Sequence, residues 1–103
     1  MPVSAAVNAL VSKTNNSTLD IKPGAGAEWL IHTLISEQQA SNVTPSIEVY
    51  RVDDASGTNK KKTMTLLGGE VETRIHVTEN SWVQLKNISG STQFIGYDGV
   101  ITV

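Results

Sequence analysis

From Thr18 onward the chain alternates apolar and polar residues with a period of two, and each run is closed by residues that turn a backbone. Leu19 and Ile21 alternate with Asp20 and Lys22 before Pro23-Gly24-Ala25-Gly26, where proline fixes one dihedral and glycine permits positive φ. Glu28 to Ile35 is apolar at both parities, which predicts a central strand covered on both faces. Ser36 to Pro45 reads as a polar loop, Ser46 to Val52 as a strand, and Asp53 to Lys62 as a longer polar loop. Thr63 to Leu67 is a further short strand ending at Gly68-Gly69, a pair that can bulge or turn. Val71, Thr73, Ile75 and Val77 then share a face opposite Glu72, Arg74, His76 and Thr78, the cleanest half-exposed strand in the sequence. Glu79-Asn80 leads into Ser81 to Ile88, and Ser89-Gly90-Ser91 into a last strand, Phe94 to Val103, which Gly96 and Gly99 are expected to bend.

Residues 2 to 12 differ. They are small and apolar, with Val3, Val7, Leu10 and Val11 near helical spacing, followed by a polar linker at Lys13 to Ser17. This segment is read as an N-terminal arm, residues 1–17, either a short helix or an extended piece ordered by what it packs against. Residues 18–103 form the expected domain. Short, closely spaced strands without a convincing internal helix predict an all-β fold, a single-domain antiparallel β-sandwich, jelly-roll-like, with about seven to eight strands.

Composition narrows the partners. At 103 residues the chain fits one domain, and its 17% charged content is below the roughly 25% usual for soluble proteins. A net charge of -2 gives no general attraction to phosphate, so the reading is no nucleic acid and no membrane partner, with Lys60-Lys61-Lys62 the sole basic cluster, taken as a solvated loop tip. There is no cysteine, hence neither disulfide nor thiolate metal site. The start of the chain lacks a basic segment and a long apolar run, which reads as a protein made in the cytoplasm without a signal peptide. Sequons at Asn15, Asn16, Asn42 and Asn87 are read as chance products of Asn and Thr richness.

No residue set suits catalysis, a metal or a cofactor. His32 and His76 lie on different strands without metal-ligand spacing, His32 reading as a core or interface imidazole and His76 as exposed. Glu70 and Glu72 stand roughly 6.5–7 Å apart on one strand, a solvated acidic edge rather than a pair flanking a cleft. Asp53, Asp54 and Asp98 lack the alternating ligands of a dedicated calcium loop. Trp29 and Trp82 each start a strand and are read as capping ends of the core, with a sugar or a neighbouring subunit as the alternative contact, and Tyr50 and Tyr97 suit a rim.

Two stretches carry a resemblance. Residues 21 to 32, with Pro23-Gly24-Ala25-Gly26-Ala27-Glu28-Trp29, and residues 81 to 100, with Leu85-Lys86-Asn87-Ile88-Ser89-Gly90-Ser91 and Ile95-Gly96-Tyr97-Asp98-Gly99, resemble small virion structural proteins of tailed bacteriophages. The resemblance implies a capsid decoration (cement) protein on the head surface, or less often a tail or fibre accessory module, acting as a homo-oligomer. Its expected partners are the major capsid protein and itself, as a trimer. The arm Met1 to Ser17 would face the capsid, and the expected capsid or oligomer interface comprises Val3, Val7, Leu10, Val11, Trp29, Trp82 and Tyr97. The alternative is a receptor- or carbohydrate-binding module using Trp82, Tyr50 or Tyr97.

Overall fold

In a computed structural model, described here for residues 5–37, 45–54 and 56–103, the chain forms eight antiparallel strands and no helix. They are β1 (Ala6–Lys13), β2 (Thr18–Ile21), β3 (Glu28–Ser36), β4 (Ile47–Val52), β5 (Lys60–Leu66), β6 (Gly69–Thr78), β7 (Trp82–Asn87) and β8 (Gln93–Ile101). One sheet, called A, has the order β1-β8-β3-β6 and the other, B, the order β2-β7-β4-β5. The pairings β1 with β8, β2 with β7, β3 with β6 and β4 with β5 are nested, as though one long hairpin had been folded over on itself. That is the jelly-roll form of the β-sandwich.

The core lies between the sheets. Ile31, Leu34, Val77, Ile95 and Tyr97 from sheet A meet Ile21, Ile47, Val49, Val83 and Leu85 from sheet B, each side chain contributing about 1.5–3 kcal/mol on full burial. Trp29 stacks on Tyr97 with ring centroids 6.3 Å apart and planes inclined by 24°.

Three expectations change. The segment read as an arm is, over Ala6–Lys13, an edge strand of sheet A in continuous register with β8, from Ala6 opposite Val100 to Lys13 opposite Gln93. Its small, evenly apolar residues hide the alternation that the structure displays as exposed and half-buried positions. Val3 and the loop residues 38–44, including the sequon at Asn42, lie outside the described residues. Lys60 to Lys62, read as a loop tip, begin β5, which is exposed along nearly its whole length and therefore has no reason to alternate. His32, read as a core or interface imidazole, is exposed where the register of β3 shifts against both neighbours, and its Nδ1 lies 2.9 Å from Thr33 Oγ1. The Thr73 hydroxyl donates to the Ile31 carbonyl beside this irregularity, 3.0 Å.

β8 runs unbroken through both of its glycines. A Cβ at Gly96 would stand 2.0 Å from the Ala9 carbonyl oxygen and one at Gly99 2.4 Å from the Leu30 carbonyl oxygen. Their role is close approach of the β1 and β3 backbones on either side.

Candidate interaction surface

The two sheets present opposite kinds of outer face. On sheet B, Trp82 and Val52 lie buried at one end of the outer face, and the polar positions beside them are tied to one another. The Tyr50 hydroxyl donates to Glu48 at 2.7 Å, Lys62 bonds the other Glu48 oxygen at 3.3 Å, Gln84 donates to Asp20 at 2.9 Å, and Lys60 donates to Gln84 at 3.1 Å. The Lys60 ammonium also sits 5.3 Å from the Tyr50 ring centroid. The hydrogen bond from Tyr50, with help from Lys62, holds the Glu48 carboxyl below its ordinary range, and the same bond raises the Tyr50 phenol. These groups are satisfied within the chain.

Sheet A is different. Its register puts Leu10 opposite Gly96 and Gly96 opposite Ile35, with Ser12 and Phe94 in the row beside them. Two rows further along, Ala6, Val100, Leu30 and His76 align, and Asn8, Asp98, Thr33 and Glu72 form the polar row between. Leu10 is 58% exposed and Phe94 49%, and Ile35, Leu30 and Val100 are half-buried. Leu10, Phe94 and Ile35 lie around Gly96, whose missing side chain lets the β1 backbone come close, and together they form an apolar patch. Apolarity at both parities of Glu28 to Ile35, which in sequence signals cover on both faces, here marks a face that no described element covers.

The expected interface residues fall into two groups. Val7, Leu10 and Val11 lie on the β1 edge, Leu10 outward and the valines half-buried toward the core. Trp29 is half-buried on the inner face, whereas Tyr97 and Trp82 are 8% and 4% exposed and belong to the core of the single chain. Phe94 and Ile35, which complete the apolar patch, are not among the residues singled out in sequence. The signal was the excess of apolar residues in a strand that needs only one buried face.

Trp82 is held under the loop before β5. Its indole N–H donates to the Asp54 carbonyl at 3.0 Å, and Lys22 lies over the ring, 5.3 Å from its centroid. Asp54 shapes that loop by accepting backbone N–H bonds from Gly57 at 2.7 Å, Thr58 at 3.0 Å and Asn59 at 3.2 Å. Partial desolvation works to raise the Asp54 pKa, but these amides outweigh it and the net shift is downward. The folded-state value thus lies below the unfolded one, so the stabilisation is complete above about pH 4 and lost as pH falls through the folded value. In a Trp29→Phe background, Trp82 emission is expected to stay constant between about pH 8 and pH 5 and to shift red only below about pH 4, whereas Asp54→Ala shifts it red throughout. A titration of that emission near neutral pH would contradict the assignment.

The remaining titratable groups stay apart. Asp98 lies on the outer face of sheet A, away from the Asp53–Asp54 loop of sheet B, and no cluster of three or more metal-ligating side chains forms among the described residues. Glu70 and Glu72 are exposed on β6, and His76 Nε2 lies 2.8 Å from Glu28 Oε1 beside an open polar cleft lined by Gly26, Ala27, Glu28, Thr78, Glu79 and Asn80. Asn15 accepts a hydrogen bond from Gly90 N–H at 2.9 Å, and Asn87 is fully buried.

No family model matches this chain, and no curated protein matches it. Among solved structures it is similar, at 10% identity and a TM-score of 0.48 over 96% of this chain and 86% of the other, to a chain described under "Bacillus endospore appendages form a novel family of disulfide-linked pili".

Proposed function

We propose that this chain is a non-catalytic structural subunit of a tailed bacteriophage virion, a capsid decoration protein that binds the outer surface of the head through the major capsid protein and stabilises the shell. The observation that carries the reading is the uncovered apolar patch on the outer face of sheet A, formed by Leu10, Phe94 and Ile35 around Gly96. An apolar patch on one face, opposite a face whose polar groups are internally satisfied, suits a subunit that sits on a lattice with one side bound and one in water. Many such weak contacts acting together resist expansion of a shell by avidity. The sequence resemblance over residues 21 to 32 and 81 to 100 supports the same reading, although the structure uses those residues chiefly for turns, strand approach and the core.

The alternative, a carbohydrate- or receptor-binding module of a fibre, needs exposed rings. Trp82 and Tyr97 are buried, and Tyr50 carries Lys60 over its ring, so the apolar patch on sheet A favours decoration. The deciding experiment is quantitative mass spectrometry of purified particles from the source. A copy number near that of the major capsid protein, or a simple lattice fraction of it, is expected; a few copies per particle would move the protein to a tail or fibre, and none would end the virion reading. Phe94→Lys is expected to weaken cosedimentation with decoration-free capsids by about tenfold or more without moving the urea midpoint. Unchanged binding would remove this face from the capsid contact.

A further inference from the structure

The sandwich has four edge strands, and three of them carry features that discourage pairing with another chain. β5 opens with Lys60-Lys61-Lys62, β6 carries Glu70, Glu72 and Arg74, and β2 is only Thr18–Ile21 and is followed closely by Pro23. β1 has none of these before its last residue, Lys13. Ala6 to Ser12 contains no charge and no proline, and its register with β8 runs without a bulge from Ala6 to Lys13. Among the described residues nothing pairs with its outer side.

We propose that β1 is a self-association edge, through which two copies of this chain pair antiparallel over Ala6 to Ser12 about a two-fold axis at Ala9. The phase of the ladder sets this register. Ile101 N–H donates to the Ala5 carbonyl at 2.9 Å, so odd-numbered residues of β1 direct their backbone groups toward β8, and Ala6, Asn8, Leu10 and Ser12 direct theirs outward. Two such edges fit with Asn8 opposite Leu10 of the second copy and Ala6 opposite Ser12, each exchanging backbone hydrogen bonds.

Side chains agree with the backbone. Val7 falls opposite Val11 of the second copy, and these half-buried valines cover each other at the open side of the core. Leu10 comes diagonally against its own symmetry mate on the outer face. Lys13, the sole charge of β1, falls at the outer ends opposite Ala5, so no like charges meet. The junction makes one continuous sheet from two copies of sheet A, and both apolar patches lie on the same side. Self-association in this mode is two-fold, in place of the trimer expected from sequence, and it does not depend on capsid binding.

A single strand pair buries less than the roughly 1,200–2,000 Å² of a standard stable interface, so a concentration-dependent monomer–dimer equilibrium is expected between micromolar and millimolar protein. The test is sedimentation velocity of the full chain over that range with three variants whose folding is checked by circular dichroism. Leu10→Lys places two cations against each other and is expected to weaken the dimer about tenfold or more, because symmetry applies the change twice. Asn8→Pro removes an outward N–H without touching the β8 ladder and is expected to do the same. Ala9→Cys, the only thiol in its chain, is expected to give a covalent dimer on mild oxidation, since the paired Cα atoms would lie about 4.5 Å apart, whereas Asn15→Cys is not. A wild type that stays monomeric at millimolar concentration, a trimer, or a dimer unaffected by Leu10→Lys and Asn8→Pro would overturn the proposal.

Discussion

Gly96→Ala is expected to lower the unfolding free energy by about 3 kcal/mol, at the upper end for overpacking a well-fitted site. The added Cβ would meet the Ala9 carbonyl oxygen at 2.0 Å and the Leu10 Cα at 3.0 Å. These are backbone atoms, so relief requires β1 to move away from β8 as a unit, which opens Val7 and Ala9 where they pack on the core. Urea unfolding should report the loss, and hydrogen exchange should show protection falling first in β1. Gly24→Ala is the control: nothing lies within 4 Å of a Cβ there, and an effect within about 0.5 kcal/mol is expected. Equal effects at the two positions would show that the close approach at Gly96 is not what the glycine serves.

Asn87→Ala is expected to cost about 3–4 kcal/mol, because one truncation strands several buried groups. The Asn87 amide nitrogen donates to the Lys13 carbonyl at 2.9 Å and the Ser91 carbonyl at 2.8 Å. Its oxygen accepts from the Ser89 N–H at 3.0 Å, the Ser89 hydroxyl at 2.8 Å and Gln93 Nε2 at 2.9 Å. Gln93 continues the network, accepting from the Ser46 hydroxyl at 3.0 Å and the Glu37 N–H at 3.2 Å and donating to the Ser46 carbonyl at 3.0 Å. One amide thus ties the end of β1 and the β7–β8 turn, and through Gln93 the start of β4. Asn87→Asp should be no better, since a carboxylate would face two carbonyl oxygens. Thermal melts of both variants provide the measurement, and a loss below about 1 kcal/mol would mean that water replaces the amide without strain.

How far the sequence reaches depends on how unevenly each strand is covered. Val71 to Val77 on β6 was legible because one face is buried and the other solvated. β5 was only half legible, since Lys60 to Lys62 lie exposed on both faces and periodicity needs a contrast to record. β1 is ambiguous in sequence for the opposite reason, its small apolar residues fitting helical spacing as well as a strand; only pairing with β8 settles it, and that contact joins residues far apart in the chain. Trp82 as a cap on the core follows from a large ring at a strand start, but its lid, the Asp54 loop, does not. Asn87 reads as part of a glycosylation triplet, and only the fold turns it inward, where its amide is fully engaged and inaccessible to a modifying enzyme. The candidate surface was half legible: Leu10 stood out, whereas Phe94 and Ile35 emerge only when register sets them beside Gly96.

The nested pairing has a consequence for how the molecule is made. β4 and β5 are near neighbours in sequence, while each further pair, β3 with β6, β2 with β7 and β1 with β8, closes a longer loop. Loop-closure entropy grows only logarithmically with length, so the outermost pair costs little more at equilibrium than the innermost, but distant contacts form slowly. During synthesis β1 emerges first and must wait for Gln93–Ile101 before it has a partner. The edge whose charge is confined to its last residue, Lys13, is thus also the strand left longest without a partner, a demand that falls on the cell's chaperones as much as on the fold.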